Sequence, residues 1–193
     1  MAGIVPAPGG LAARQPALRA RRRLALAALL AAALGAAPAA AKGDAFAPPP
    51  AAGTPGLIRG PAEVIDGDTI DIRGHRIRLH GIEAPESNQY CTRGGRRWDC
   101  FEASAQALER LIGRAEVVCV PVGASFNRWV ARCWVGGAEL GGWMVWTGWA
   151  VVSERYNRVP EYRRFEAEAR AERRGLWSSR FIPPEDWRAG RRR

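Results

Sequence analysis

Acids and arginines crowd around one short turn. In VIDGDTIDIRGHRIRLHGIEAPE, residues 64–86, Asp66 and Asp68 stand just before one strand-like run. Glu83 and Glu86 stand just after a second, and Arg76 and Arg78 lie inside it. Such a set is either a solvated edge or a place where acids hold a cation and an arginine meets an anion beside it.

Strand parity bears on the choice. The turn can be drawn at Arg73-Gly74 or at Gly74-His75, since two-residue hairpin loops favour glycine. Both drawings give the same sidedness, because strand side chains alternate with period two. Ile70, Ile72, Ile77 and Leu79 then share one face, which a core must cover. Asp68 and Glu83 fall on that parity, and Arg76, Arg78 and His80 fall on the other. Acids that continue an apolar face repel one another and lose hydration, so a counter-charge is expected. A hard divalent cation supplies it, and calcium tolerates an irregular set of oxygen ligands. Ordinary alternatives stand beside this reading. Asp71 can pair across the strands with Arg76 or Arg78, Asp66-Gly67 is a common turn dipeptide, and His80 can be a plain polar-face residue. Spacing alone leaves the metal site and simple ion pairing both open.

The elements that must position these residues follow from periodicity. Strand-like segments cover roughly 61–65, 69–73 and 75–82. A loop, SNQYCTRGGRRWDC, leads to a helix in FEASAQALERLIG, where Ala107, Leu108, Leu111 and Ile112 line one face and Gly113 stops it. AEVVCVPV and RWVARCWV read as two more strands, and ELGGWMVWTG as a short helix despite Gly141 and Gly142. A last helix at 160–174 spaces Tyr162, Phe165 and Ala169 along one face and ends at Gly175. Too few helices are present for βαβ units, so the order predicts a small antiparallel barrel with helices packed on it. Of the eight tryptophans, Trp134, Trp143 and Trp146 sit among apolar residues and read as core, whereas Trp129 follows an arginine and reads as surface.

Composition bounds the rest. Residues 1–41 hold five arginines (Arg14, Arg19, Arg21, Arg22 and Arg23), no acid, and an Ala/Leu run ending in small residues. This is the pattern of a secretory signal cleaved after Ala41, implying a periplasmic or secreted product. An uncleaved membrane anchor is the alternative, but Gly35 and Pro38 interrupt the run and a spanning helix needs about 20 strongly apolar residues. Residues 42–56 form a Pro/Ala-rich linker, 57–187 the domain, and 188–193 a basic tail. The chain carries +10, from 29 basic and 19 acidic residues; without the five leading arginines the balance is 24 to 19. The folded body is near neutral, so the high pI does not by itself indicate nucleic acid. Four cysteines after an export signal predict two disulfides. No C-x-x-C is present, which argues against zinc. Among three connectivities we expect the sequence-adjacent one, Cys91 with Cys100 and Cys119 with Cys133.

IDGDT followed by RIRLHGIEAPE, then SFNRWVARCWV about forty residues on, resembles the staphylococcal (micrococcal) nuclease family, with its thermonuclease-like OB-fold domain. AEARAERRGLW is similar to the family's closing helix, so the resemblance spans about residues 57–187. It implies a mainly β, α+β fold: a five-stranded antiparallel OB-fold barrel with about three packed helices. It also implies calcium-dependent hydrolysis of DNA and RNA that leaves 3′-phosphates. Position by position, Asp68 and Glu83 match the metal carboxylates, and Ala84 matches the residue whose carbonyl ligates the ion. Asp66 would lie in an outer shell. Glu86 matches the glutamate written as general base, Arg78 the first phosphate-binding arginine and Arg128 the second. Phe126 and Tyr156 fall where aromatic residues contact substrate. The chain departs from the prototype at Glu83, which replaces an aspartate, at Asn127, which replaces a turn glycine, and in its cysteines. The resemblance thus implies a metal-dependent endonuclease, and the leading segment adds export without stable membrane association after signal cleavage; the sequence leaves the oligomeric state open, with a monomer favoured. The competing readings are a catalytically inactive OB-fold module that binds nucleic acid or protein, and a structural envelope protein.

Overall fold

Alternating β-branched residues and glycine turns build the first sheet strands, as the computed structural model shows for residues 49–51, 53 and 55–191. The export-signal expectation for residues 1–41, most of the 42–56 linker and the last two tail residues lie outside the described residues. In chain order the elements begin with β1 (Ile58–Gly60), β2 (Glu63–Asp66), β3 (Thr69–Ile72), β4 (His75–Leu79) and β5 (Ile82–Glu83). A second hairpin, β6 (Tyr90–Arg93) and β7 (Arg96–Asp99), precedes helix α1 (Cys100–Ile112). The long strands β8 (Val117–Ser125) and β9 (Arg128–Val135) follow, then β10 (Ala138–Glu139), α2 (Leu140–Trp146) and β11 (Val151–Val152). The C-terminal part holds α3 (Glu161–Ala171), a 3₁₀ turn (Gly175–Ser178) and α4 (Pro184–Arg188).

The main sheet runs β1-β8-β9-β4-β3-β2, with β10 added beside β9. Its ladders are antiparallel except β4 with β9, which pair in parallel, Ile77 opposite Trp129 and Leu79 opposite Ala131. A parallel junction needs a long crossover, and residues 80–127, with α1 among them, supply it. The hydrogen-bonded ladder is open, with β1 and β2 at its ends. The architecture is the expected mixture of an OB-type sheet and packed helices, with more short strands and one more helix than five strands and three helices.

Ile72 pairs with His75, so the hairpin turn is Arg73-Gly74, with φ of 53° and 84°. Both central residues are left-handed, as a type I′ turn requires. Asp71 accepts the Gly74 amide at 2.7 Å and so caps the turn. It makes no ion pair with Arg76 or Arg78 among the described residues.

The buried parity holds. Ile70, Ile72, Ile77 and Leu79 are in the core with Leu108 of α1, Met144 of α2 and Phe165 of α3. Helix α1 starts on Asp99, whose carboxylate accepts the Glu102 amide at 2.9 Å, and ends at Gly113. Trp134 is buried, Trp143 and Trp146 pack partly buried on the core, and Trp129 is exposed. Both disulfides have the sequence-adjacent pairing, Cys91 with Cys100 and Cys119 with Cys133. No helix among the described residues is long and apolar enough to cross a membrane.

The segment read as a loop, residues 87–100, differs from expectation: it contains the β6–β7 hairpin, turning at Gly94-Gly95. Its strands alternate no apolar face, so periodicity hides them. What holds them is the Cys91–Cys100 staple, a small cluster with Leu176, Trp98 and Phe181, and a backbone bridge between Thr92 and Arg180.

Candidate active site

The charged residues meet where the β3–β4 ladder runs out. Asp68 lies in the turn between β2 and β3, its amide held by the Asp66 carboxylate at 2.9 Å. Gly67 lets that turn sit against α1: a Cβ there would lie 2.0 Å from Ser104 Oγ and 2.7 Å from Ala84 Cβ. The glycine of IDGDT is thus a packing requirement.

Arg78 stands opposite Thr69 in the ladder, on the parity away from Asp68. A flat sheet would keep the two apart. At the end of β4 the chain turns at Gly81, and β5 leaves the main sheet to pair with β11, Glu83 opposite Val151. The guanidinium reaches over this end. Nη1 donates to Asp68 Oδ1 at 2.7 Å and Nη2 to Glu83 Oε2 at 2.6 Å. Asp68 Oδ2 accepts the Ala84 amide at 2.8 Å. Asp68 and Glu83 are 3% and 1% exposed, so the acids do continue the buried face, as parity predicts.

Glu86 is less enclosed. Its amide donates to Gln89 Oε1 at 3.0 Å, and its carbonyl accepts the Gln89 amide at 2.9 Å. Its carboxylate meets Arg188, which composition assigns to the basic tail but which is the last residue of α4. Arg188 Nε donates to Glu86 Oε1 at 2.8 Å and Nη2 to Glu83 Oε2 at 2.5 Å; Nη2 also bonds Glu86 Oε1.

These groups line one wall of a cleft of about 770 Å³. Arg128, Phe126, Tyr156 and Arg158 line it too, as do Asp66 and His80. The structure therefore brings every expected site residue other than the cysteines to one cleft. Arg128 opens β9 directly after the turn, half-buried and without a carboxylate partner among the described residues. The left-handed residue of that turn is Phe126, with φ 56°, rather than Asn127. Phe126 is 97% exposed and Tyr156 53%.

Burial pushes the Asp68 carboxyl up to about 7, against the opposing pull of Arg78 and the Ala84 amide. Partial burial acts against the charge on Arg188, but its bonds to Glu83 and Glu86 push its pKa upward. Burial, then the nearby charges of Arg132 and Arg158, moves His80 downward, so the neutral imidazole is favoured.

Among the described residues no three metal-ligating side chains converge as they stand; Asp68 and Glu83 are joined through Arg78. Their chemistry nevertheless suits a hard cation. They offer only oxygen donors, and both are buried carboxylates that need a counter-charge.

Gln89 and Arg188 escape the sequence reading. Neither belongs to a motif, and only the D-W-R run after Pro183-Pro184, with its proline at the first helical position, signals that a helix could carry Arg188.

Comparison with known proteins gives the family. The family described as "Staphylococcal nuclease homologue" matches residues 76–179. The chain is 32% identical over 130 residues to the "Succinoglycan biosynthesis protein ExoI" of Rhizobium meliloti (strain 1021), covering 65% of this chain and 68% of that protein. It is 33% identical over 132 residues to an "Uncharacterized endonuclease" of Escherichia coli O157:H7, covering 65% and 80%. It is 34% identical over 127 residues to the "Probable staphylococcal-like nuclease CAN2" of Oryza sativa subsp. japonica, where the match spans 65% of this chain but 32% of the plant protein. The chain belongs to the staphylococcal nuclease homologue family.

Proposed function

We propose that this protein is an exported, calcium-dependent nuclease that hydrolyses phosphodiester bonds of DNA and RNA and leaves 3′-phosphates. One observation carries the reading. Asp68, Glu83 and Glu86 share a cleft with Arg78 and Arg128, and a simple binder of anions has no use for those acids. The match to relatives named as nucleases supports it. Export is supported by the pattern of residues 1–41 and by two disulfides, which persist in oxidising compartments.

In this reading Arg78 and Arg128 form a clamp. Their planar forks match the equatorial oxygens of a phosphodiester and bind more strongly as charge builds there. Glu86 accepts the proton of the attacking water, by an oxygen, Oε2, that takes no bond among the described residues. The water oxygen bonds to phosphorus as the P–O5′ bond breaks, the 5′ oxygen takes a proton from solvent, and the phosphate stays on the 3′ side. Asp68, Glu83 and the Ala84 carbonyl would hold calcium, with Asp66 behind them; the ion would supply Lewis acidity at a non-bridging oxygen. Phe126 and Tyr156 offer ring faces to unpaired bases.

The test is digestion of plasmid DNA and single-stranded RNA by the full chain, with calcium and then with a chelator. Cutting is expected only with calcium. Glu86→Gln should lower the rate about 10²- to 10⁴-fold and Arg128→Ala about 10²- to 10³-fold. The pairing of the acids with Arg78 and Arg188 favours one other reading, a catalytically inactive nucleic-acid-binding module. Protein that retains DNA on a filter and never cuts it would establish that reading instead.

A further inference from the structure

Arg188 reaches the cleft from 102 positions away in sequence and belongs to neither the clamp nor the acidic set. We propose that it is the positioning residue for Glu86, holding one carboxylate oxygen so that the other is free to accept the water's proton. The proposal rests on the nuclease reading above.

The geometry argues for this role in three steps. Two nitrogens of Arg188, Nε and Nη2, converge on the same Glu86 oxygen, Oε1, and leave Oε2 unbonded among the described residues. A partly exposed glutamate in a loop otherwise samples several rotamers, and the Glu86 side chain is 30% exposed. An ordinary surface ion pair would contribute little, but the Arg188 guanidinium is also anchored on a second, buried carboxylate. Nη2 also bonds Glu83, whose side chain is 2% exposed and whose strand is fixed by pairing with β11.

The backbone that carries Arg188 is fastened independently. Gln89, fully buried, donates from Nε2 to the Ile182 carbonyl at 2.6 Å while accepting the Glu86 amide on Oε1. One side chain thus fixes both the Glu86 loop and the approach to α4. Thr92 and Arg180 exchange two backbone bonds of 2.8 Å, and Ser153 Oγ donates to Glu185 at 3.3 Å. A segment held at three points delivers its arginine to one place, which is what a positioning contact needs.

The experiment compares Arg188→Ala, Arg188→Lys and Arg191→Ala in the full chain, alone and combined with Glu86→Gln, with kcat and KM measured on a short single-stranded substrate. Arg191 pairs with Asp186 nearby, so its removal controls for loss of one positive charge. Arg188→Ala should lower kcat about 10- to 100-fold with KM within about twofold. Arg188→Lys should recover part of that loss, and Arg191→Ala should leave the rate unchanged. In the Glu86→Gln background Arg188→Ala should cost nothing further, because it acts through that residue. A wild-type rate in Arg188→Ala, a change in KM alone, an equal loss in Arg191→Ala, or full additivity with Glu86→Gln each overturns the proposal. A crystal structure of Arg188→Ala gives a readout free of activity, and Arg188→Lys serves where the alanine variant does not fold. Glu86 keeping its wild-type side-chain position would refute positioning even in a protein that cuts nothing, whereas an inactive wild type with a displaced Glu86 in the variant would sink only the nuclease reading.

Discussion

Glu139 is buried where it reaches residues of both α2 and α3, accepting the Tyr162 hydroxyl on both oxygens and the Gly142 amide, each at 2.7 Å. Burial pushes its carboxyl upward, against the pull of Tyr162, Gly142 and Arg132. The folded state therefore holds this proton more tightly than the unfolded chain does. Its contribution to stability is complete below the ordinary glutamate value and is lost as pH rises through the raised one. Glu139→Gln keeps the shape and removes the titration, so the melting temperature of the variant should rise relative to wild type as pH climbs above the ordinary glutamate value. A difference that stays constant with pH would contradict the assignment. At this scale much of the site was legible. Alternation alone placed Asp68 and Glu83 on the face shared by Ile70, Ile72, Ile77 and Leu79. It could not show that Arg78 reaches round the sheet end, because that depends on β5 leaving the main sheet for β11. Nor could it show that Phe126 rather than Asn127 takes the left-handed conformation, which the β8–β9 turn decides.

Helix α1, the β3–β4 hairpin and the β8–β9 pair were readable because each repeats its apolar pattern long enough to be seen. The β6–β7 hairpin and α4 were not. Both are short, rich in charge, and held by contacts with distant residues. Their importance is out of proportion to their length, since the hairpin starts at the residue after Gln89 and bridges to Arg180 in the approach to α4. The Cys91–Cys100 staple spans nine positions, and on the chain-entropy model a loop of that size is worth about 2–3 kcal/mol. Replacing both cysteines by serine should lower stability by about that amount in urea unfolding. It should also depress nuclease activity at temperatures where the fold is intact, because the Glu86 loop and α4 lean on the hairpin. The corresponding change at Cys119 and Cys133 should cost stability alone, as those cysteines join two strands already paired in register. Equal effects of the two replacements on activity would show that the hairpin does not support the site.

Taken whole, the body beyond residue 41 carries 24 basic and 19 acidic residues, and many of its arginines are tied to acids, as Arg78, Arg163, Arg170 and Arg174 are. Arg128 and Arg158 line the cleft without a carboxylate partner among the described residues. Substrate affinity should therefore come from a few local phosphate contacts rather than a broad basic field. For two to four contacts with a single strand, log K against log salt should fall with a slope of about −1.4 to −2.8. A slope near −6 would reveal a much larger basic footprint. The overall class was the most legible property, since strands, turns and helix count pointed to a small barrel with packed helices, and the family resemblance implied its OB type; the parallel β4–β9 junction was not, because local pattern says nothing about which distant strand becomes a neighbour. The link between Glu86 and Arg188 has a consequence for the order in which the protein is made. A chain emerging from the ribosome presents its acids about a hundred residues before the arginine that holds one of them. The site can be finished only when nearly the whole domain is out, so a nascent or prematurely terminated chain has the parts of a cutting centre without its final alignment.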